Sequence, residues 1–515
     1  MPTYLSPGVY VEEVPAGSRP IEGVGTSVAA FVGLAAKGPV NEPTLVSNWT
    51  QFTENFGDFV ENSYLAHGVY GWFLNGGGNC FVVRISPNDG GKRQPKAIEA
   101  PKQATLGGYT ATSIAKGATA SKDIRLTVEA AGGDDAPEDE FKLVVLVDGK
   151  ATETYDNVTT KSGDNNLATR VNAASKVIQL EETTQGSALT PVAKGQVDLV
   201  VPEPEPEPPT MTNIGTRDYV GDAAQRTGFG GLEAVDEVTM VAVPDLAAAL
   251  ENGAIDLETF KAVQLGMIAH CELMGDRIAI LDTPPDLTPQ EVHRWRTTDA
   301  GYDSKFAALY WPWVKVFDPV SGANRFVPPS GHMAGVWARN DDTRGVHKAP
   351  ANEVVRGVIS LQSQITRAEH DLLNPVGVNC VRSFPGRGVR VWGARTLASD
   401  AEWRYLNVRR LFNYLEESIL LGTQWVVFEP NDHALWARIR RTISAFLVNE
   451  WRKGALFGTT PDEAFFVKCD EETNPAEGID AGQVVCQIGV APVKPAEFVI
   501  FQLSQFSGGT SLVSE

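Results

Sequence analysis

Short apolar runs that stop abruptly at proline or aspartate, with helical spacing between them, constrain this chain more than any other feature. Residues 238–243 form such a run and end at Pro244-Asp245. Helical spacing follows over 257–274, and a second run over 277–281 ends at Asp282-Thr283-Pro284-Pro285. Nearer the start, strand-like runs over 28–33 and 80–85 enclose helical stretches over 48–56 and 64–74. A strand buried on both faces reads as a continuous apolar run, and strands that alternate with helices read as crossover units. The expectation is an α/β (α+β) core with a mainly parallel sheet and helices on its faces.

The pattern breaks between residues 90 and 214. Large apolar residues thin out there, while Ala, Thr, Gly, Lys and Asp increase. Residues 124–129 alternate at period two, and 141–147 followed by Asp148-Gly149 and 151–155 reads as a hairpin. A short helix over 167–175 and a strand over 197–201 complete a β-rich inserted domain. Pro202-Glu203-Pro204-Glu205-Pro206-Glu207-Pro208-Pro209 is a stiff connector that cannot donate to a sheet.

After residue 396 the chain alternates again. Ser399-Asp400-Ala401-Glu402 has the form of a capping box, so a helix is expected to start there, with Val408, Leu411, Phe412, Leu415 and Ile419 on its apolar face. Gly422 stands where a left-handed cap is wanted. Residues 425–428 read as a buried strand. Asp432 caps a second helix whose stripe is Leu435, Ile439, Ile443, Phe446, Leu447 and Trp451, leaving Arg438, Arg441 and Arg452 off that stripe. Strands are expected around 464–467 and 483–490. Phe498, Val499, Ile500 and Phe501 then form a terminal strand too apolar to stand alone in water. At the other end Val9, Tyr10 and Val11 lie in a second strand-forming arm, isolated by Pro15, Gly17 and Pro20. Open strand edges invite pairing, either within one subunit or between copies.

Composition limits the partners. The 515 residues carry 44 Lys and Arg against 64 Asp and Glu, a net charge of -20, which disfavours broad nucleic-acid binding. Proteins are the expected partners. The five cysteines are scattered without a Cys-x-x-Cys pair, so neither a disulfide framework nor a zinc site is indicated, and a reducing cytoplasm suits them. No run reaches the ~20 apolar residues of a membrane span, and the first residues lack the marks of a signal peptide.

Candidates for chemistry are weak. Asp245 and Asp282 follow strands, where many α/β enzymes keep catalysts, yet each precedes a turn whose amides it can accept. The seven histidines form no metal-binding pair. Gly76-Gly77-Gly78 leads from a helix into a strand, the reverse of a phosphate cradle. Tyr310-Trp311-Pro312-Trp313 reads as an aromatic core strand. Ser330 follows Pro329 rather than the glycine of a hydrolase elbow. No catalytic, cofactor or metal residue is assigned. The rival readings are an α/β hydrolase-type enzyme and an adhesin-like surface-binding module.

Taken in order, Ser6-Pro7-Gly8-Val9-Tyr10-Val11-Glu12-Glu13, Gly23-Val24-Gly25-Thr26-Ser27, Ala30-Phe31-Val32-Gly33 and Lys37-Gly38-Pro39 resemble the opening of contractile tail sheath proteins. Arg409-Arg410, Leu415-Glu416, Phe428-Glu429-Pro430-Asn431, Gly454-Ala455-Leu456 and Lys494-Pro495-Ala496-Glu497-Phe498 are similar to that family's later segments. Pro328-Pro329-Ser330-Gly331 resembles the segment that opens one of its core helices.

The resemblance implies a non-enzymatic subunit that stacks as hexameric rings around an inner tube and contracts to drive that tube outward. It implies as partners further copies of the chain, the inner tube, and baseplate and terminal cap proteins, with no cofactor, no nucleic acid and no membrane insertion. Assembly is expected in the bacterial cytoplasm, into a virion tail or a tail-like injection particle. Val9, Tyr10 and Val11 with Phe498, Val499, Ile500 and Phe501 are the expected intersubunit links, and Arg438, Arg441 and Arg452 the candidate inner-tube contact. The expected division is an arm over 1–20, core segments over 21–89 and 215–395, the insertion over 90–214, a C-terminal domain over 396–505 and a tail over 506–515.

Overall fold

The structure is a computed structural model, and it describes residues 20–86, 102–114, 123–132, 137, 139–182, 192–199 and 214–502. The chain forms two compact units, one of residues 1–88 with 208–515 and one of residues 89–207.

The larger unit is built on an eight-stranded sheet. In spatial order its strands are Gly388–Val391, Val378–Phe384, Ala307–Trp311, Ile278–Asp282, Met240–Ala242, Ala29–Gly33, Cys80–Arg84 and Thr44–Val46. The six inner strands run parallel, and one antiparallel strand closes each edge. The mainly parallel sheet is therefore as expected. Every position of Ala29–Gly33, Met240–Ala242, Ile278–Asp282 and Ala307–Trp311 is buried, which is why these strands read as unbroken apolar runs.

Helix Leu65–Asn75 lies against helix Ser330–Arg344. Their crossing is close because glycines face each other: a Cβ on Gly331 would stand 2.4 Å from the backbone of Gly68. The Pro329-Ser330-Gly331 segment does open a helix. The expected aromatic strand divides at Pro312, and Val314–Asp318 joins a separate three-stranded sheet with Ala323–Val327 and Ser360–Leu361.

Three local expectations after residue 396 fail, each for a physical reason. The helix runs over Leu406–Gly422 and does not begin at Ser399. The Ser399 amide and hydroxyl donate instead to the Asp303 carboxylate, at 2.8 and 2.6 Å, so no capping box forms. Gly422 is the last helical residue rather than a left-handed cap; a Cβ there would meet Ile21 at 2.6 Å, so close approach requires the glycine. Residues 425–428 are no strand. Gln424–Val426 is a single 3-10 turn, Val427 is exposed, and Phe428 is fully exposed with φ 69.

The second helix, His433–Arg452, begins where expected, and the Asp432 carboxylate accepts from the Leu435 amide at 2.8 Å. Phe465–Lys468 and Gln487–Val490 pair as an antiparallel two-stranded ribbon, the latter shorter than the sequence suggested.

The two sheets of the smaller unit are antiparallel. One sheet orders Gly195–Asp198, Ile124–Ala130, Glu140–Val147 and Lys150–Thr159; the other orders Gln103–Leu106, Tyr109–Ser113 and Ile178–Glu182. Ile124, Leu126 and Val128 point inward with Phe141, Leu143 and Val145, the alternation of a half-buried sheet. Asp148 and Gly149 both take positive φ, as a tight two-residue hairpin turn demands.

Candidate assembly surface

Strand Ala29–Gly33 has a parallel neighbour on each side, Cys80–Arg84 and Met240–Ala242. The chain thus winds away from it in both directions, and in open α/β sheets ligands bind just beyond the strand ends at such a point. Here the position is filled from within. The Asp245 carboxylate, wholly buried, accepts from the amides of Leu34, Tyr64 and Leu65 and from the Ser63 hydroxyl. Two of those amides start helix Leu65–Asn75, so Asp245 sits where a phosphate would sit on a helix N-terminus. Burial pushes its carboxyl up to about 6 while the amide and hydroxyl donors pull against it. Asp282, also buried, accepts from the Ser330 amide at 2.9 Å at the start of helix Ser330–Arg344; burial pushes it up to about 7. Both aspartates act as helix anchors, and neither faces a site.

The exposed chemistry lies at the other end of the chain. Glu497 is gripped by Arg395, whose Nε and Nη2 donate to its two oxygens at 2.9 and 2.6 Å. The Asn374 side chain donates to it at 2.8 Å and the Tyr405 hydroxyl at 3.3 Å. Burial would raise the Glu497 carboxyl, but the Arg395 guanidinium with Asn374 and Tyr405 holds it below the usual range. Immediately beyond this anchor the chain lies outside any strand, and Phe498, Val499, Ile500 and Phe501 are 72%, 67%, 81% and 84% exposed. Four consecutive large apolar residues held in water at a fixed point mark a contact surface.

A groove of about 990 Å³ runs beside this tail, and Arg344, Lys348, Arg367 and Arg382 contribute to its walls. Nearby stands the ribbon of Phe465–Lys468 and Gln487–Val490, with Phe466 exposed on it. Each of its strands pairs on one side only among the described residues, so two edges remain open to another strand.

The expected tail residues are therefore described and exposed, though not as a strand. Val9, Tyr10 and Val11 lie outside the described residues. The three arginines are not equivalent: Arg441 and Arg452 are exposed, whereas Arg438 is half-buried with its guanidinium 3.8 Å from the Trp425 ring centroid. Sequence reasoning missed the Arg395–Glu497 clamp. Its signal was a lone carboxylate at the head of an apolar run, within the Lys494-Pro495-Ala496-Glu497-Phe498 segment.

Two further arginines that look like surface charge are internal ties. Arg410 forms a two-pronged pair with the Asp341 carboxylate, at 2.9 and 2.5 Å, and stacks on Trp337. Arg409 reaches Asn413 and Glu416 and lies over Trp403. Among the described residues no group of three or more His, Cys, Asp or Glu could hold a metal, and no helix is long and apolar enough to cross a membrane.

Residues 213–397 match the phage tail sheath protein central domain, and residues 398–506 match the phage tail sheath C-terminal domain. The tail sheath protein of Burkholderia phage BcepMu is 24% identical over 515 residues, covering 96% of this chain and 95% of that protein. That of Vibrio phage KVP40 is 25% identical over 389 residues, 70% of this chain, and the match spans only 54% of the phage protein. In fold, the chain is similar to the helical sheath of the anti-feeding prophage in its contracted state, with TM-score 0.59 and 23% identity over 98% of this chain and 100% of the other. It is equally similar to the PVC sheath complex of an extracellular contractile injection system in the contracted state, with TM-score 0.59, 23% identity and coverage of 98% and 99%.

Proposed function

Since this chain belongs to the contractile tail sheath family, a structural family and not an enzymatic one, we propose that it polymerises as stacked hexameric rings around an inner tube. The observation that carries the reading is the tail: a clamp at Glu497 followed at once by four exposed apolar residues, beside a ribbon with two open edges. Strand addition would cover both. The arm around Val9, Tyr10 and Val11 of one copy and the 498–501 segment of another extend the ribbon of a third, which buries apolar surface and pairs the open backbone groups. Contacts of this kind join unlike surfaces and need not close, so they generate an open helical tube.

Contraction then follows as a change of packing between subunits that keep their links. If the contracted lattice gains even ~1 kcal/mol of contact per subunit, a small packing increment, the sum over the tube is a large work output. Arg441 and Arg452 are offered to an acidic inner tube, with Arg438 held back on Trp425. The anti-feeding prophage is also known with its baseplate, and a baseplate and a terminal cap are the partners we assign to the two ends. The unit over 89–207 serves as an outer decoration of the particle, whether virion tail or injection system.

Negative-stain microscopy of the purified chain tests this, beside versions lacking residues 1–19 or 498–515. Hollow striated tubes from the full chain alone are the expected result. Dispersed monomers from all three, across a range of salt, would refute self-assembly. Tubes from all three would refute linkage by the arms.

A further inference from the structure

We infer that Cys469 and Cys486 are a modification site, closing under oxidation into a disulfide that staples the two-stranded ribbon. The last register partners of that ribbon are Lys468 and Gln487. One more residue on each strand sets Cys469 opposite Cys486, and the two thiols interact electrostatically. The Ala491 amide donates to the Ala464 carbonyl directly opposite it, at 2.8 Å. In an antiparallel ladder that alternation makes 466/489 and 468/487 hydrogen-bonded pairs and leaves 469/486 the other kind, with facing Cα atoms about 4.5 Å apart. A disulfide spans Cα separations of about 4.4–6.8 Å, so this position can accept one.

The backbone around the pair is held in place. The Asn474 side chain accepts from the Val485 amide at 2.7 Å and donates to the Val485 carbonyl at 3.1 Å, and its amide lies 3.8 Å from the Cys469 sulfur. Arg440 donates to the Cys469 carbonyl. The remaining cysteines, Cys80, Cys271 and Cys380, are buried in the core on other elements. Cys486 is half-buried and Cys469 buried, so Cys486 is the first thiol to react.

The oxidant is a small disulfide. The Cys486 thiolate attacks one of its sulfurs and expels the first thiolate, which leaves with a proton as a free thiol. The Cys469 thiolate then attacks the Cys486 sulfur of the mixed disulfide and expels the second. One small disulfide is reduced to two thiols while the cysteine pair loses two electrons and two protons. Burial and the neighbouring Cys469 push the Cys486 thiol up to about 12, so exchange is slow at neutral pH and quickens as pH rises. A chain made under reducing conditions thus keeps free thiols, and a particle released into an oxidising medium acquires the staple. The disulfide is a property of the folded subunit and does not depend on the assembly reading.

The test incubates the full-length native protein with oxidised glutathione at about pH 8.5, alkylates the remaining thiols, unfolds and digests. The expected product is a single intramolecular Cys469–Cys486 peptide. With it comes a melting temperature raised by several degrees, returning to its starting value on dithiothreitol. Cys469→Ser should stop at a glutathione adduct on Cys486. An adduct on Cys486 as the end product in the wild type, or an unmodified Cys486 after exhaustive oxidation, would overturn the disulfide. A cross-link that lowers the melting temperature would overturn its role as a staple.

Discussion

At Asp245 the amides that would greet a phosphate in an α/β enzyme are taken by a carboxylate of the chain itself. Asp245→Ala should cost the subunit about 2–5 kcal/mol in urea unfolding, because it leaves the buried Leu34 and Tyr64 amides without the carboxylate that accepts from them. Asp282 offers a pH signature. Its folded pKa, about 7, lies above that of an unfolded aspartate, so the folded state holds the proton more tightly. The stabilisation is complete below the unfolded pKa and is lost as pH rises through 7. Asn in its place carries no such term. The melting temperature of the wild type relative to Asp282→Asn should therefore fall between pH 5 and pH 8, and a difference independent of pH would contradict the assignment.

Among elements, the crossing of helices Leu65–Asn75 and Ser330–Arg344 is the least tolerant of change, since Gly331 meets Gly68 backbone and backbone cannot swing aside. Gly331→Ala should destabilise by about 1–3 kcal/mol or more, measurable by denaturant titration of the isolated subunit. The elements themselves were legible wherever packing and sequence pattern agree. The fully buried strands read as apolar runs, and Asp432 announced its helix. Trp425 to Phe428 misled because four apolar residues look the same whether a partner strand exists or not, and among the described residues none pairs with them. Ser399 misled because a capping box is a local signal, and a distant carboxylate, Asp303, claimed its donors. Strands Gln103–Leu106 and Tyr109–Ser113 escaped notice because Ala and Thr fill their positions, too small to stand out as an apolar face. The Glu497 clamp pairs residues a hundred positions apart, beyond the reach of spacing rules.

For the whole molecule, the two units build separate sheets with separate cores. Replacing residues 89–207 by a short Gly-Ser linker should leave a cooperative unfolding transition within a few degrees of the parent, read by calorimetry. Arg395→Ala tests the other end: circular dichroism should stay native while chymotrypsin cuts faster after Phe498 and tube yield falls. The clamp also decides how the subunit meets tension. Glu497 lies between the free tail and the ribbon, and its grip passes through Arg395 to strand Val378–Phe384 of the large sheet, whose Asn379 side chain bonds the Arg395 backbone at 2.7 and 2.8 Å. Under the proposed linkage, a neighbour tugging on residues 498–501 would load that strand first and the small ribbon only after the clamp gives way. On that proposal the two-stranded ribbon would be sheltered from the pull, and the load from one copy would pass into the eight-stranded sheet of the next.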